Sequence, residues 1–359
     1  MEGKMQGYAI VGKDQCEWKE FDIPTVGPNG ALIKIEIVSI CTTDTHFIET
    51  GCEALPYLLG KATGHEAAGV VAEVGENVKL FKPGDRVAMC ANIPDWRGTT
   101  SQDGWPNIAG MDLYEGFDPG EGHQGTCADY YYIDDADANL AHVPDNVTME
   151  QACMMADMVT TGFRGTEAAD IQFGQTVVIL GVGPVGLFAL RAAALKGAGK
   201  IIAVGSRPNT FEVAKEFGAH HCVDYHDENW TDKVIEFNGG NPVDAVVVCG
   251  GGPRQLQDAN HIAKWGATIA NVAAWLADEE VSLNIADLGF GYGSKTFKFV
   301  QCLGGRVRME HLLSLIANGS VQPEKVITNV YHGKEHVIDA INLFLNHDRN
   351  FIKPVVYWE

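Results

Sequence analysis

The sequence has few basic residues and no long apolar run. It contains 26 Lys and Arg against 47 Asp and Glu, which gives a formal net charge of −21, and the basic residues do not cluster. Because a nucleic-acid interface needs a positively charged surface, no nucleic-acid partner is expected. A transmembrane helix needs about 18 or more consecutive apolar residues. Since the sequence has no such run, no membrane segment is expected either.

Regular cysteine spacing and an apolar leader are also missing. The nine cysteines show no paired spacing, which predicts free thiols in a reducing compartment. Residues 1–7 lack the apolar core of a secretory signal peptide. Together these features predict a cytoplasmic protein. Its 359 residues exceed what one compact core usually holds, so two domains are expected.

A glycine-rich segment lies between two apolar runs. Residues 176–180 form a strand-like run, Gly181-Val-Gly183-Pro-Val-Gly186 follows at once, and a helical pattern leads to a second apolar run at 200–204. In this context the pattern is typical of a dinucleotide site. The first glycine allows a tight turn, the second lets the backbone approach a pyrophosphate, and the third lets helix pack on strand. The helix N-terminus then presents free N–H groups to the anion.

The missing acidic residue after the second apolar run indicates which dinucleotide binds. An NAD site usually has Asp or Glu there, which binds the ribose 2′-hydroxyl. This sequence has Gly205-Ser206-Arg207 instead. A guanidinium can bind a 2′-phosphate through two charge-assisted hydrogen bonds, whereas a carboxylate would repel it. The segment therefore predicts NADP(H), with an ordinary surface arginine as the alternative.

The whole chain divides into three parts. Residues 1 to about 150 are rich in Gly, Pro and short β-type runs, such as 31–38 and 68–74. From about 158 to 300, strand-like and helical segments alternate, which predicts βαβ units on a parallel sheet. The strand candidates there are 177–180, 201–204, 245–248 and 268–272. The last part has helical patterns at 309–318 and 337–345 and a strand-like run at 352–357.

Candidate metal ligands lie outside the glycine-rich region. Cys41 begins the string Cys41-Thr-Thr-Asp-Thr-His46, and His65 and Glu66 follow in Gly64-His-Glu-Ala-Ala-Gly69. Thiolate, imidazole and carboxylate are all zinc ligands, and a catalytic zinc needs three protein ligands and one open position. Cys41 and His65 supply two, Asp157 is the candidate for the third, and Glu66 is a further exchangeable ligand. The alternatives are a buried Cys41 and an Asp157 that only caps a helix.

Taken together, these strings resemble the zinc-dependent medium-chain dehydrogenase/reductase family, and within it the NADP-dependent secondary alcohol dehydrogenases. The resemblance covers nearly the whole sequence, and Asp157 is typical of that branch. The matching strings run in order along the chain at 41–46, 64–68, 81–87, 94–97, 137–142, 157–163, 181–187, 203–208, 304–310 and 352–356. Members of this family have an α/β fold. The resemblance implies a GroES-like, mostly-β catalytic domain at 1–157 and 301–359, and a Rossmann domain with a doubly wound parallel sheet at 158–300.

The same resemblance implies a role for each site residue. Cys41, His65 and Asp157 correspond to the zinc ligands, with Glu66 as the fourth. Thr43 corresponds to the hydroxyl that touches the substrate oxygen, and His46 to the next position of the proton relay. The residues expected to contact NADP(H) are Gly181, Gly183, Pro184, Val185, Gly186, Gly205, Ser206, Arg207, Tyr225 and Val272.

The implied activity is NADP-dependent interconversion of small secondary alcohols and ketones by zinc-assisted hydride transfer. One zinc per chain is expected, because residues 91–125 lack the cysteines of a structural zinc lobe. A homotetramer is also implied, with 268–272 and 273–276 as candidate interface segments. The alternative, favoured for the strand 268–272, is that these residues belong to the core. Two alternatives remain open, a zinc-dependent polyol or sugar dehydrogenase and a non-catalytic NADP-binding protein. The ligand set argues against a zinc-free quinone or enone reductase. The expected pocket walls, 111–117 and 273–276, differ from the family pattern, so the substrate is the least transferable expectation.

Overall fold

Two compact units make up the protein. The computed structural model describes residues 2–106, 124–275 and 279–359. The first unit contains residues 1–160 and 302–359, and the second contains 161–301. Segment 111–117 and Leu276, both expected in a pocket wall, lie outside the described residues. Within the described residues, no helix is both long and apolar enough to cross a membrane. The nine cysteines are all free thiols.

Short strands dominate the first segment of the first unit. Apolar side chains fill both faces of its longest strands, which explains why these strands are buried. The strands are β1 (Lys4–Gly12), β2 (Gln15–Asp22), β3 (Ala31–Ser39), β4 (Glu66–Val74), β5 (Arg86–Met89), β6 (Tyr130–Ile133) and β7 (Leu140–His142). The helices are α1 (Thr42–Thr50), α2 (Thr99–Gln102), α3 (Ala136–Asn139) and α4 (Met149–Met154), which is followed by a π turn (Met155–Val159). The next helix, α5 (Thr160–Ala168), belongs to the second unit from residue 161 onward.

The second unit is a six-stranded parallel sheet with helices between its strands. Its strands are β8 (Thr176–Leu180), β9 (Lys200–Gly205), β10 (His221–Asp224), β11 (Val243–Val248), β12 (Ala263–Asn271) and β13 (Thr296–Phe299). Its main helices are α6 (Pro184–Leu195), α7 (Pro208–Phe217), α8 (Trp230–Phe237) and α9 (Gln255–Ile262). The spatial order is β10-β9-β8-β11-β12-β13. This order is that of a Rossmann fold, so the predicted doubly wound sheet is confirmed.

The structure decides between the two interpretations of one strand in this sheet. Segment 268–272 was a candidate subunit interface, but β12 lies between β11 and β13 and pairs with both. The side chains of Ile269 and Ala270 are fully buried in the core of the unit. An apolar strand in the middle of a sheet is buried on both faces. These residues therefore stabilise the second unit itself.

The chain then returns to the first unit. This segment contains α10 (Arg306–Ala317), β14 (Ile327–His332), α11 (Val337–Leu345) and β15 (Lys353–Tyr357). The main sheet has the order β14-β15-β3-β4-β5-β7, with β6 also paired to β3, while β1 and β2 form a separate hairpin. Ser39 of β3 pairs with Glu66 on one side and with Val355 on the other. This register places the start of β15 level with the start of β4, on the opposite side of β3.

Candidate active site

Cys41 lies at the N-terminus of α1. Its backbone is extended, with φ −103° and ψ 155°, and its N–H donates to Asp44 Oδ2 at 2.9 Å. Asp44 is the third helical residue, and its side chain reaches back to the first turn as in a capping box. The helix therefore begins immediately after Cys41, and its first turn fixes where the thiol lies.

Asp44 also contacts His65. Its Oδ1 lies 3.1 Å from His65 Nδ1, and the Asp44 side chain is buried. Burial raises the pKa of Asp44, but His65 and the Cys41 N–H outweigh it, so this pKa lies below its usual value. An ionised carboxylate on Nδ1 orients the ring and leaves Nε2 for a metal. We did not single out Asp44 from the sequence; its spacing after Cys41 is the available signal.

The chain enters β4 through Gly64. Its φ is +92°, and a Cβ there would lie 2.6 Å from Cys127 Sγ and 2.8 Å from Thr126 Oγ1. Both the left-handed conformation and the close approach require glycine at this position. Gly64 thus determines how His65 and Glu66 begin the strand.

Asp157 lies in the π turn between α4 and α5. The turn spans Met155–Val159, and most of its neighbouring side chains are buried while Asp157 is partly exposed. A π turn contains one more residue than an α turn, and such turns are frequent at functional sites.

Cys41, His65, Glu66 and Asp157 form one cluster. A ligand atom of each lies within 4.8 Å of a ligand atom of all the others. The donor set is one thiol sulfur, one imidazole nitrogen and two carboxylate oxygens. This combination suits zinc, which accepts all three donor types in a four-coordinate site. The residues present therefore fit a zinc ion.

A buried lysine lies behind this cluster. Lys353 Nζ donates to Glu66 Oε1 at 2.9 Å and to the carbonyl of Ile40 at 2.8 Å. Burial lowers the pKa of Lys353, but Glu66 and Cys41 raise this pKa by more than burial lowers it, so the net shift is upward. Burial raises the pKa of Glu66, and Lys353 opposes that shift. The sequence analysis missed Lys353, although a lysine inside the apolar run 351–357 was a signal.

The two proposed relay residues lie in different surroundings. Thr43 is partly exposed, and its Oγ1 lies 3.7 Å from Cys41 Sγ, so its hydroxyl is beside the cluster. His46 lies on the exposed face of α1, where Nδ1 is 3.8 Å from Glu49 Oε2. The geometry therefore supports a role for Thr43 more directly than one for His46.

The glycine loop joins β8 to α6. Gly181 has φ +88°, and a Cβ at Gly186 would lie 1.9 Å from the Gly181 carbonyl oxygen. Gly183 is the N-cap of α6, and Pro184 and Val185 are its first two residues. Proline is favoured at this first helical position, where its missing N–H costs nothing. The loop thus has the compact geometry of a pyrophosphate site at a helix N-terminus.

The other predicted cofactor residues follow the ends of neighbouring strands. A Cβ on Gly183 would lie 3.8 Å from Arg207 Nη2, so the guanidinium borders the glycine loop. Ser206 precedes Arg207, which is the N-cap residue of α7. Tyr225 donates its N–H to Gly205 and exposes its ring, and Val272 donates its N–H to Val248. The carboxyl ends of parallel strands are where such folds bind dinucleotides.

Comparisons with known proteins agree with this architecture. Residues 184–318 match the zinc-binding dehydrogenase model, and residues 27–145 match the alcohol dehydrogenase GroES-like domain model. The chain belongs to the zinc-binding alcohol dehydrogenase family. The family resemblance and the fold class expected from the sequence are therefore confirmed.

Several relatives are similar over almost their full length. The NADP-dependent isopropanol dehydrogenase of Thermoanaerobacter brockii is 40% identical over 98% of this chain and 99% of its own. The enzyme of the same name from Entamoeba histolytica is 38% identical over 99% of this chain and 97% of its own. The structure of alcohol dehydrogenase TADH from Thermus sp. ATN1 covers 99% of this chain and 100% of its own, with a TM-score of 0.86 and 25% identity.

Proposed function

We propose that this protein is an NADP-dependent oxidoreductase that interconverts small secondary alcohols and ketones by zinc-assisted hydride transfer. The observation that carries the proposal is the Cys–His–Glu–Asp cluster within 4.8 Å in a chain of the zinc-binding dehydrogenase family. Full-length relatives at 37–40% identity are named NADP-dependent isopropanol dehydrogenases, which supports the cofactor and the substrate class.

Cys41, His65 and Asp157 would hold the zinc, with Glu66 as an exchangeable fourth ligand. When bound, zinc supplies a Lewis acid that polarises an alcohol or carbonyl oxygen. Lys353 supports the exchangeable role of Glu66, because it offers the same carboxylate an alternative cationic partner. We propose one zinc per chain, since residues 91–125 contain no cysteine.

Proton and hydride transfer would be divided between the chain and its cofactor. The Thr43 hydroxyl can accept and pass on the proton of a substrate hydroxyl, and we propose His46 as the next group on the way to solvent. When bound, NADP(H) would supply the hydride chemistry, and the residues that border its site would align it with the carbinol carbon and exclude water.

NADP(H) would bind along the carboxyl ends of β8, β9 and β12. Gly181, Gly183 and Gly186 would border the pyrophosphate, with Pro184 and Val185 at the start of the helix. Gly205, Ser206 and Arg207 would bind the 2′-phosphate, with the Tyr225 ring beside it and Val272 closer to the nicotinamide. The guanidinium beside Gly183 supports this arrangement, because it lies where a dinucleotide crosses the loop.

Exposed aromatic side chains on the second unit bear on how the protein assembles. The edge strand β13 leaves Phe299 exposed, and Phe290 and Tyr292 are also exposed on the same unit. Unpaired edges and exposed aromatic patches mark association surfaces, so we propose that these residues, rather than 268–272, form part of a homotetramer. The nine free thiols suit a cytoplasmic protein. Light scattering at micromolar concentration tests the assembly, and a monomer would refute it.

An activity panel with a metal count tests the proposed function. Purified protein should contain one zinc per chain and reduce acetone and butanone with NADPH faster than it reduces aldehydes or sugars. Two zinc ions per chain, or full activity after thorough chelation, would contradict the site. Higher kcat/KM for sorbitol or glucose than for any secondary alcohol would instead support the sugar dehydrogenase alternative. Zinc and NADP binding without turnover would support the non-catalytic one.

A further inference from the structure

Two buried thiols from distant parts of the chain touch each other in the first unit. Cys90 Sγ lies 3.2 Å from Cys302 Sγ, although the residues are 212 positions apart. Cys90 follows β5 directly, and Cys302 is the first residue of the segment that returns from the second unit. Neither residue belongs to the metal cluster or to the nucleotide site.

A side-chain hydrogen bond and a close glycine contact hold the two segments together. Asn92 Nδ2 donates to the Cys302 carbonyl at 3.0 Å. A Cβ on Gly304 would lie 2.5 Å from the Asn92 carbonyl oxygen and 3.0 Å from Cys90 Cβ, so the segments pack as tightly as glycine permits. The thiol contact is therefore fixed by the fold and does not depend on a chance rotamer of an exposed loop.

We propose that Cys90 and Cys302 form a thiol pair that hydrogen peroxide converts to an intramolecular disulfide. A disulfide needs sulfur atoms about 2.05 Å apart, so the two must approach by roughly 1.1 Å. The side chains are only 3% and 7% exposed, which favours a very small oxidant over a bulky disulfide such as oxidised glutathione.

Oxidation of the thiol pair proceeds in two steps. One thiol loses its proton, and its thiolate attacks a peroxide oxygen. The O–O bond breaks, the departing hydroxide takes up that proton and leaves as water, and the attacking cysteine becomes a sulfenic acid. The sulfur of the second thiol then attacks the sulfenic sulfur, the S–O bond breaks, and the hydroxide leaves as water with the proton of that thiol. The two thiols together lose two electrons, and the peroxide gains them. A dithiol reverses the product by exchange.

The pair also contacts the segment that carries Asp157. Cys302 Sγ lies 3.9 Å from the carbonyl oxygen of Ala156, and the Ala91 N–H donates to the same carbonyl at 2.8 Å. Ala156 is the residue before Asp157. Drawing Cys90 and Cys302 together therefore acts on both groups that contact the Ala156 carbonyl. The expected consequence is a displaced Asp157 carboxylate and a reversible loss of activity in the oxidised protein; this second consequence rests on the proposed function.

Peptide mapping of the holoprotein tests the disulfide directly. Trypsin releases Cys90 in peptide 87–97 and Cys302 in peptide 299–306, and each peptide contains one cysteine. After brief treatment with equimolar hydrogen peroxide and alkylation, we expect the two peptides joined, lighter than their sum by two hydrogens. Dithiothreitol should separate them. Cys90→Ser and Cys302→Ser should each abolish the joined peptide, while Cys222→Ser, in the second unit, should not.

Different results would overturn the disulfide and its effect on Asp157. Peroxide-treated wild-type protein in which both peptides carry only alkylated or over-oxidised thiols would overturn the disulfide, whether or not the serine variants fold. A joined peptide with unchanged activity would overturn the coupling to Asp157 alone. Failure of the proposed function would show as absent turnover in the reduced protein, and the mass measurement would still decide the disulfide.

Discussion

Lys353 and Glu66 form an ion pair that is buried at both ends. Lys353 Nζ lies 2.7 Å from Glu66 Oε2, and the side chains are 3% and 0% exposed. Removing one member of such a pair leaves the other charge buried without a partner, which costs about 3–5 kcal/mol. The pair therefore links the stability of the first unit to a proposed metal ligand.

We expect Lys353→Met to lower the free energy of unfolding by about 3–5 kcal/mol, measured by denaturant titration. Adding Glu66→Gln should recover part of the loss, because no buried charge then lacks a partner. Lys4→Met is the matched control: it breaks an exposed pair with Asp22 at the same 2.7 Å distance. This control should leave the unfolding midpoint unchanged, and equal losses in both variants would contradict the argument.

Asp44→Asn should weaken zinc binding by about 10- to 100-fold, because it removes the ionised partner of His65 Nδ1. Competition against a chromogenic chelator measures the affinity. Glu49→Gln changes an exposed carboxylate on the same helix and should leave the affinity unchanged. An Asp44→Asn protein with unaltered affinity would show that the carboxylate does not support the metal ligand.

Asp157→Ala should remove zinc and activity but preserve NADP(H) binding. The glycine loop lies in the second unit and forms its contacts without the cluster. Metal analysis and fluorescence titration with NADPH measure the two properties separately. Asp145→Ala, an exposed carboxylate in the first unit, serves as the control. Parallel loss of zinc and NADPH binding would indicate unfolding rather than ligand removal.

Arg207→Asp should erase much of the preference for NADP(H) over NAD(H). Losing a charge-assisted pair costs about 1.5–3 kcal/mol, or about tenfold to a hundredfold in affinity. The measurement is kcat/KM for NADPH and NADH with one ketone. Arg254→Asp changes an exposed arginine of the same unit and should preserve the ratio. Equal kcat/KM for both cofactors in the unmutated protein would contradict the assignment of NADP(H) as the preferred cofactor.

Thr43 should be sensitive to loss of its hydroxyl and tolerant of loss of its methyl group. Thr43→Val should lower kcat by a factor of about 10²–10⁴, the usual contribution of a proton-transfer group. Thr43→Ser keeps the hydroxyl, so it should retain activity and accept bulkier ketones. Steady-state kinetics on a ketone series measures both effects. Comparable activity of the valine and serine variants would exclude Thr43 from proton transfer.

The features that the sequence predicted are those encoded locally. The apolar runs of the second unit and the glycine fingerprint predicted its strands and loop, because side-chain period and turn residues are local properties. Cys41, His65, Glu66 and Asp157 came from recognisable strings, and the fold brings all four together. Their roles, and those of the cofactor residues, stay predictions.

Apart from Asp44, the features missed in the sequence depend on long-range pairing. Lys353 reaches Glu66 only because β3 lies between β4 and β15 with Ser39 paired to both. Cys90 and Cys302 meet across 212 positions for a similar reason, since the chain re-enters the first unit at Cys302. No local pattern specifies such pairings, and the interior position of β12 likewise follows from strand order.

The pairing of Glu66 with Lys353 also has a consequence for the order of synthesis. The ribosome adds Glu66 287 residues before Lys353, an interval of roughly 15–60 s at about 5–20 residues per second. Residues 161–301 are added within that interval, so the second unit is complete while the first still lacks its last strand. Until Lys353 emerges, Glu66 must stay hydrated or protonated, because a buried carboxylate without its cation is too costly. The proposed metal site of the nascent protein is therefore completed last, although its four candidate ligands all precede residue 158.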